Sequence, residues 1–540
     1  MMTASSLHAV QTVFLLLLSV VAAFAVIARK LLVPYPIVLV IGGLLISFLP
    51  DVPAIPLSPD LVFFIFLPPL LYAAAWQTSW GDFRRNLPTI AAMAIGLVGF
   101  TVWGVAELAG RFIPTLEWNS AFLLGAVVAT TDAIAASSIA KRIGFPKRIL
   151  DLLEGESLVN DATGLLALTF GLQMVETGHP QSVGFGLLHL LWLMIGGLTI
   201  GLLLAWVTDR LERWVNDGPV EMTISVIVPY AAYLAGDGLH ASGVLSVVAC
   251  GLYLSLRSVK FYSPETRIQI TSGWMALNFI FNGLAFVLIG LQLPNVLVGL
   301  QWCSRWKLLQ YGLALSAMLI VLRIVWMYPA AAIAHELRTR LLRHSEKKPS
   351  AREVFLLGWT GMRGVVALAA AISLPETLSN GEPFRQRDLI VFLTFAVILV
   401  TLVLQGLSLP MMIRFLGLAS KSTGGEEETE ARRTMLQAAI AHLEQGKAQS
   451  GESNAHVYDD LLHFYQHMLE AMEAQVQEDS EAKSRAATYR LFREITESTV
   501  QAERRALIEL RDKGRIGESV MRHLEGELDL TEARQRMRHQ

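Results

Sequence analysis

The chain has 540 residues, 53% of them hydrophobic and only 17% charged, with a formal net charge of −2. A soluble chain of this length carries about 25% charged residues, so an ordinary soluble enzyme is a poor fit. The near-neutral balance gives no electrostatic reason to expect a nucleic-acid partner. Residues 1–418 are strongly apolar, and the remainder is rich in Glu, Arg, Gln and Lys, which predicts a membrane domain followed by a soluble tail. The two cysteines, Cys250 and Cys303, lie in or beside apolar runs and form neither a disulfide framework nor a zinc motif.

Thr12 opens the first apolar run, which ends at Ala28. No basic stretch precedes it and no small-residue cleavage site follows, so it reads as a retained span. A crossing helix needs about 20 apolar residues, and that rule yields about thirteen candidates. They cover 11–28, 34–49, 60–75, 88–108, 119–140, 150–174, 185–208, 220–236, 239–256, 272–292, 306–334, 352–374 and 388–415. Loops after odd-numbered spans carry about 19 Lys and Arg, against about 5 after even-numbered ones. Arg29, Lys30, Arg84, Arg85, Lys141, Arg142, Lys147 and Arg148 are among the former, as are Arg343, Lys347 and Lys348. The bias places the N-terminus outside and the tail in the cytoplasm, as expected for a multi-pass protein of the inner (plasma) membrane.

Residues 419–430 read as a linker, opening on Ser-Thr-Gly-Gly and acids, and 431–540 as a cytoplasmic helical domain. Helices are predicted near 428–446, 454–475, 482–513 and 515–527, with apolar residues such as Leu461, Phe464, Tyr465 and Met468 at helical spacing. Asp529 followed by Glu532 suggests a capped last turn. No catalytic constellation is visible in the tail.

Charges within a span cost several kcal/mol and each needs a reason. In span six, Glu156, Ser157, Asn160 and Asp161 form two adjacent i,i+4 rows on one face. In span five, Thr130, Thr131 and Asp132 sit among small residues. Threonines can serve an ordinary packing face, but an acid at mid-span points to a broken helix whose exposed N–H groups attract a carboxylate. In span twelve, Gly361 and Gly364 flank Arg363 and suggest a second break. The two breaks are seven spans apart, an odd offset that reverses the crossing direction, as inverted repeats require. Span eleven carries Arg323, either a partner for an intramembrane acid or a charge snorkelling to the cytoplasmic side. Asn278 and Asn282 share a face of span ten and either line a cavity or bridge helices.

These residues carry a resemblance to monovalent cation/proton antiporters of the bacterial Na⁺/H⁺ exchanger type, related to animal sodium/hydrogen exchangers. The matching strings are Phe66-Leu67-Pro68-Pro69-Leu70-Leu71-Tyr72, Gly125-Ala126 with Thr131-Asp132, Gly155-Glu156-Ser157 with Asn160-Asp161, Phe281-Asn282-Gly283, and Gly361-Met362-Arg363-Gly364. The resemblance implies an all-α polytopic antiporter fold with two inverted repeats and broken crossing helices. It implies Asp161 as the carboxylate that binds the ion and the proton, with Ser157 and Thr131 as further oxygen ligands for Na⁺. Asn160 is implied as a further member of the ion- and proton-binding set, and it stands where electrogenic relatives carry a second aspartate, which implies electroneutral exchange. Glu156 and Arg363 are implied as a buried structural ion pair, with Arg323 as the alternative partner, and Asp132 as the acid compensating half-helix ends. Two positions depart from the pattern: Ala133 replaces a proline common in relatives, and Ala73 replaces an acid that some archaeal-type members carry.

The expected activity is secondary transport, not enzymatic catalysis, with Na⁺ and H⁺ as cargo and no cofactor. Li⁺ or K⁺ could use the same oxygens, so a K⁺/H⁺ antiporter is the main alternative. A cation channel would need a repeated filter or charged ring, and an ion-binding membrane sensor would need a signalling motif; neither is visible. Membrane lipid and a second copy of the chain, as a homodimer, are the expected partners.

Overall fold

The computed structural model describes residues 4–31, 33–48, 59–132, 136–137, 147–177, 183–341, 349–378, 381–418, 423–449, 455–474, 480–513, 515 and 517–537. Ala133, Lys141, Arg142, Arg343, Lys347, Lys348 and linker residues 419–422 lie outside them. Two units separate, Met1–Lys421 and Ser422–Gln540.

The helices of the first unit are α1 (Ala4–Leu31), α2 (Tyr35–Ile46), α3 (Pro59–Gln77), α4 (Trp80–Phe112), α5 (Trp118–Ala129), α6 (Lys147–Thr177), α7 (Val183–Glu212) and α8 (Gly218–Gly238). They continue with α9 (Gly243–Phe261), α10 (Pro264–Val298), α11 (Arg305–Leu341), α12 (Ala351–Trp359), α13 (Val365–Ile372), α14 (Arg387–Val400) and α15 (Gly406–Phe415). A π-helical turn, Thr401–Gln405, joins the last two. The predicted spans fall on these helices over their described residues, and the second half of span 119–140 lies largely outside those. Among the described residues, eight helices are long and apolar enough to cross a membrane, and α2, part of α3 and α5 are shorter apolar helices. The fold is all-helical among the described residues, and this is a membrane protein. Several helices outrun their predicted spans because hydropathy stops at the first charges, whereas helical hydrogen bonding continues into the interface.

Short polar side chains start the helices at their membrane ends. Ser242 accepts from the Leu245 N–H, Ser263 from Thr266 and Asp217 from Val220. Ser350 and Glu353 form a reciprocal capping box at the start of α12, satisfying two of the N–H groups that a helix start leaves without partners. In lipid there is little hydrophobic drive between helices, so close packing and interhelical hydrogen bonds hold the bundle. Helices α4, α5 and α6 pack as a mutually contacting group, α11 lies on α4, and α12 lies on α11. Their shared interior is fully buried: Leu97, Val105, Leu123, Leu124, Val127 and Leu158 are each at most 2% exposed. On the outside, Leu188, Trp192, Ile195 and Trp206 of α7 and Val321 and Val325 of α11 are exposed, the apolar outer face a bilayer requires.

The second unit holds α16 (Thr423–Gln449), α17 (Ala455–Ala474), α18 (Ser480–Asp512) and α19 (Glu518–Met537). Consecutive members pack on one another. Much of the predicted linker is helical, because α16 begins at Thr423. Its Glu426, Glu427 and Glu428 lie near the helix start, where the macrodipole favours acids. The predicted cap at Asp529 is not a helix end: α19 runs through to Met537. Asp529 and Glu532 instead accept from Arg504 of α18 at 2.6 and 3.2 Å.

Candidate ion-binding site

Helix α5 stops at Ala129, and Thr130 turns to extended backbone at φ −64°, ψ 142°. No proline is needed for the stop. Two consecutive β-branched threonines and an aspartate favour leaving the helix, and the chain they begin finds new hydrogen-bond partners. Helix α12 stops at Trp359, and residues 361–364 are unwound before α13 begins at Val365. The two unwound segments meet: the Asp132 N–H donates to the Met362 carbonyl at 2.8 Å. Both predicted breaks are therefore present, and they cross.

The glycines of span twelve make that crossing possible. A Cβ on Gly364 would lie 2.0 Å from Asp132 Oδ2, and one on Gly361 would lie 2.1 Å from Arg323 Cδ. A side chain at position 364 would push the two segments apart, and one at position 361 would collide with Arg323 of α11. Because Gly364 is the N-cap of α13, this contact also puts the Asp132 carboxylate at the positive end of that half-helix.

Thr131 is the hub of the polar network. Its hydroxyl donates to Glu156 Oε1 at 3.3 Å and accepts from Asn160 Nδ2 at 3.1 Å. Its carbonyl accepts from Ser157 Oγ at 2.8 Å. A hydroxyl has one donor and two acceptor positions, so Thr131 keeps one lone pair and Ser157 keeps both. Asp161 is 7% exposed, and its Oδ1 is buried without a hydrogen-bond partner. It opens on a cavity of about 260 Å³ lined by Thr130, Thr131, Asp132, Ser157 and Asp161, with Tyr35, Asn278 and Asn282 across from them.

The structure thus gathers Asp161, Ser157, Thr131 and Asp132 on one cavity. Asn160, expected among the ion ligands, does not line it; fully buried, it spends its amide on holding Thr131. The expected Glu156–Arg363 pair is corrected. Glu156 is paired with Arg323 in a two-pronged contact, Nη1 to Oε1 at 2.6 Å and Nη2 to Oε2 at 2.8 Å, and both side chains are 1% exposed. Arg323 Nη2 also donates to the Leu357 carbonyl at 3.2 Å, so Arg323 is buried and does not snorkel. Arg363 Nε donates instead to the Val128 carbonyl at 3.1 Å, Nη1 donates to the Gly361 carbonyl, and its backbone N–H donates to Thr401 Oγ1 at 3.2 Å. The physical reason is local: unwound backbone and a helix end expose carbonyls, and these take up the guanidinium before a carboxylate on α6 does. Arg363 so sits at the C-terminal, electronegative end of α5, the counterpart of Asp132 at the start of α13.

Two participants, Tyr35 and Thr401, went unassigned in the sequence, and Asn282, offered there as lining a cavity or bridging helices, lines the cavity with Asn278. Tyr35 lines the cavity from α2 with no signal in its surroundings. Asn282 does have one, as an intramembrane amide, and it donates to Asn278 Oδ1 at 2.7 Å while its own Oδ1 has no partner. Thr401 opens the π-helical turn, a feature that often marks functional positions and that hydrophobic periodicity cannot reveal.

Comparison with known proteins bears on the family and the fold. Residues 15–415 match the family profile described as sodium/hydrogen exchanger, transmembrane. An Escherichia coli protein named as an uncharacterized Na⁺/H⁺ exchanger, YjcE, is 28% identical over 93% of this chain and 94% of its own length. A Bacillus subtilis sodium, potassium, lithium and rubidium/H⁺ antiporter is 29% identical over 94% of this chain and 75% of its own length. In structure, the sodium proton antiporter MjNhaP1 of Methanocaldococcus jannaschii aligns with a TM-score of 0.57 at 21% identity, covering 77% of this chain and all of that one. The last likeness bears on the fold.

Proposed function

Since the chain belongs to the sodium/hydrogen exchanger family, a family of transporters whose ions are their substrates, we propose that it exchanges Na⁺ for H⁺ at Asp161. The observation that carries this reading is the buried, unpartnered Asp161 oxygen facing the cavity. A carboxylate oxygen without a hydrogen-bond partner there is satisfied by one cation or one proton. A hard cation such as Na⁺ takes oxygen ligands, and the Thr131 and Ser157 hydroxyls and the carbonyls freed by the break supply them. Asn160 keeps Thr131 in place. The loaded site, with either ion, carries no net charge and can pass the apolar barrier between the two sides. The empty carboxylate is charged and cannot do so cheaply. Coupling follows from that difference, and one Na⁺ exchanged for one H⁺ moves no net charge.

The Glu156–Arg323 pair ties α6 to α11 and, through Leu357, to α12. Asp132 and Arg363 compensate the half-helix ends at the crossing, so that ion loading alone alters the charge of the site. The positive-inside bias supports a cytoplasmic tail and an inner-membrane location, and a homodimer is the assembly we propose.

Everted vesicles with an internal pH dye test the activity. Adding Na⁺ to respiring vesicles is expected to alkalinise the lumen, with a rate unchanged when the membrane potential is collapsed by K⁺ and valinomycin. Li⁺ and K⁺ in separate additions rank the cations. A response to K⁺ without one to Na⁺ would make the chain a K⁺/H⁺ antiporter. A signal that vanishes with the potential would make it a channel.

A further inference from the structure

The tail unit holds a cluster with no part in ion exchange at Asp161. On α17, His463 and His467 are one helical turn apart, and their Nε2 atoms approach to 3.2 Å. Their rings meet nearly edge to face, with centroids 4.4 Å apart at 75°. Two metal–imidazole bonds of about 2.0–2.1 Å, opened by an angle between square and tetrahedral, separate the nitrogens by about 2.9–3.4 Å. The observed spacing falls within that window. Glu470 Oε2 lies 3.7 Å from the far nitrogen of His467, Nδ1. The negative charge of Glu470 adds to the attraction of the site for a cation. His463 also borders an open pocket between α16 and α17 whose lining includes Glu444, Asp459 and Asp460 against Lys447. That balance of charge attracts cations.

We propose that His463 and His467 chelate one divalent transition-metal ion of the Zn²⁺, Cu²⁺ or Ni²⁺ class through their Nε2 atoms. Imidazole nitrogens suit these ions and discriminate against Na⁺, Mg²⁺ and Ca²⁺, which prefer oxygen. Among the described residues, no three His, Cys, Asp or Glu side chains converge on one point. The site is therefore a two-imidazole clip completed by water. Both histidines are exposed, so the ion reaches them without rearrangement, and replacing them does not disturb a core. The bound ion staples one turn of α17 beside its packing partner α16.

The test uses the full-length protein in detergent micelles without a polyhistidine tag. Zn²⁺ is titrated calorimetrically, and Cu²⁺ is followed by electron paramagnetic resonance. The expected result is one Zn²⁺ per chain and a Cu²⁺ spectrum showing two coupled imidazole nitrogens. His463→Ala and His467→Ala should each abolish that isotherm, while His442→Ala leaves it intact. Unchanged Zn²⁺ binding in the His463→Ala/His467→Ala double variant would overturn the proposal. So would a parent protein that binds no Zn²⁺ at millimolar concentration, since the contact would then be only one between two rings.

Discussion

Asp161→Asn is expected to insert and fold as the parent does, and to reduce cation-driven proton movement to the level of vesicles lacking the protein. The substitution is nearly isosteric. Asp161 Oδ1 has no hydrogen bond to lose, so no packing or network energy is sacrificed. What disappears is the negative charge on which cation and proton compete. An amide neither binds a proton near neutral pH nor balances a sodium ion. Transport in everted vesicles, together with the thermal unfolding midpoint of the purified protein, separates this outcome from misfolding. An Asp161→Asn protein that still exchanges ions would refute the assignment.

Glu156→Ala is expected to fail differently, by loss of stability. It would leave Arg323 buried at 1% exposure with no carboxylate, a defect that typically costs about 3–5 kcal/mol. Arg323→Ala should cost a similar amount by stranding Glu156. The double variant Glu156→Ala/Arg323→Ala should be markedly more stable than the sum of the two losses, because neither charge is left alone; such cycles isolate a pairwise term. The cycle between Glu156 and Arg363 should show the smaller coupling, since the Arg363 side chain donates to the Val128 and Gly361 carbonyls. Unfolding midpoints and yields of the five variants decide it. A larger coupling to Arg363 than to Arg323 would contradict the pairing seen here.

Much of the site was legible because a bilayer makes polar groups conspicuous. The Glu156, Ser157, Asn160 and Asp161 stripe stands out against leucines, and the glycines around Arg363 announce a break. The break in span five was legible from Asp132 at mid-span and that in span twelve from its glycines, whereas their crossing was implied only by the family resemblance. The choice between two intramembrane arginines was not legible. It depends on how α11 is rotated toward α6 and on where an unwound segment aims its carbonyls, and neither leaves a trace in spacing. The role of Asn160 was hidden for a similar reason, because one face of α6 holds both cavity-lining residues and those that support them. Tyr35 comes from a helix remote in sequence and apolar throughout, so only the tertiary fold brings it to the cavity. In the tail, composition suggested a linker through residue 430, yet glutamates near a helix start stabilise the helix that begins at Thr423.

The central claim is that one carboxylate holds either a cation or a proton. It is tested most directly by adding Na⁺ to the purified protein in weakly buffered micelles and measuring proton release alongside Na⁺ binding. The account predicts up to one proton released per Na⁺ bound. It also predicts an apparent Na⁺ affinity that weakens about tenfold per unit of acidification where the site is mostly protonated. Neither signal should appear in Asp161→Asn. Na⁺ binding without proton release, or the same isotherm in the variant, would contradict it.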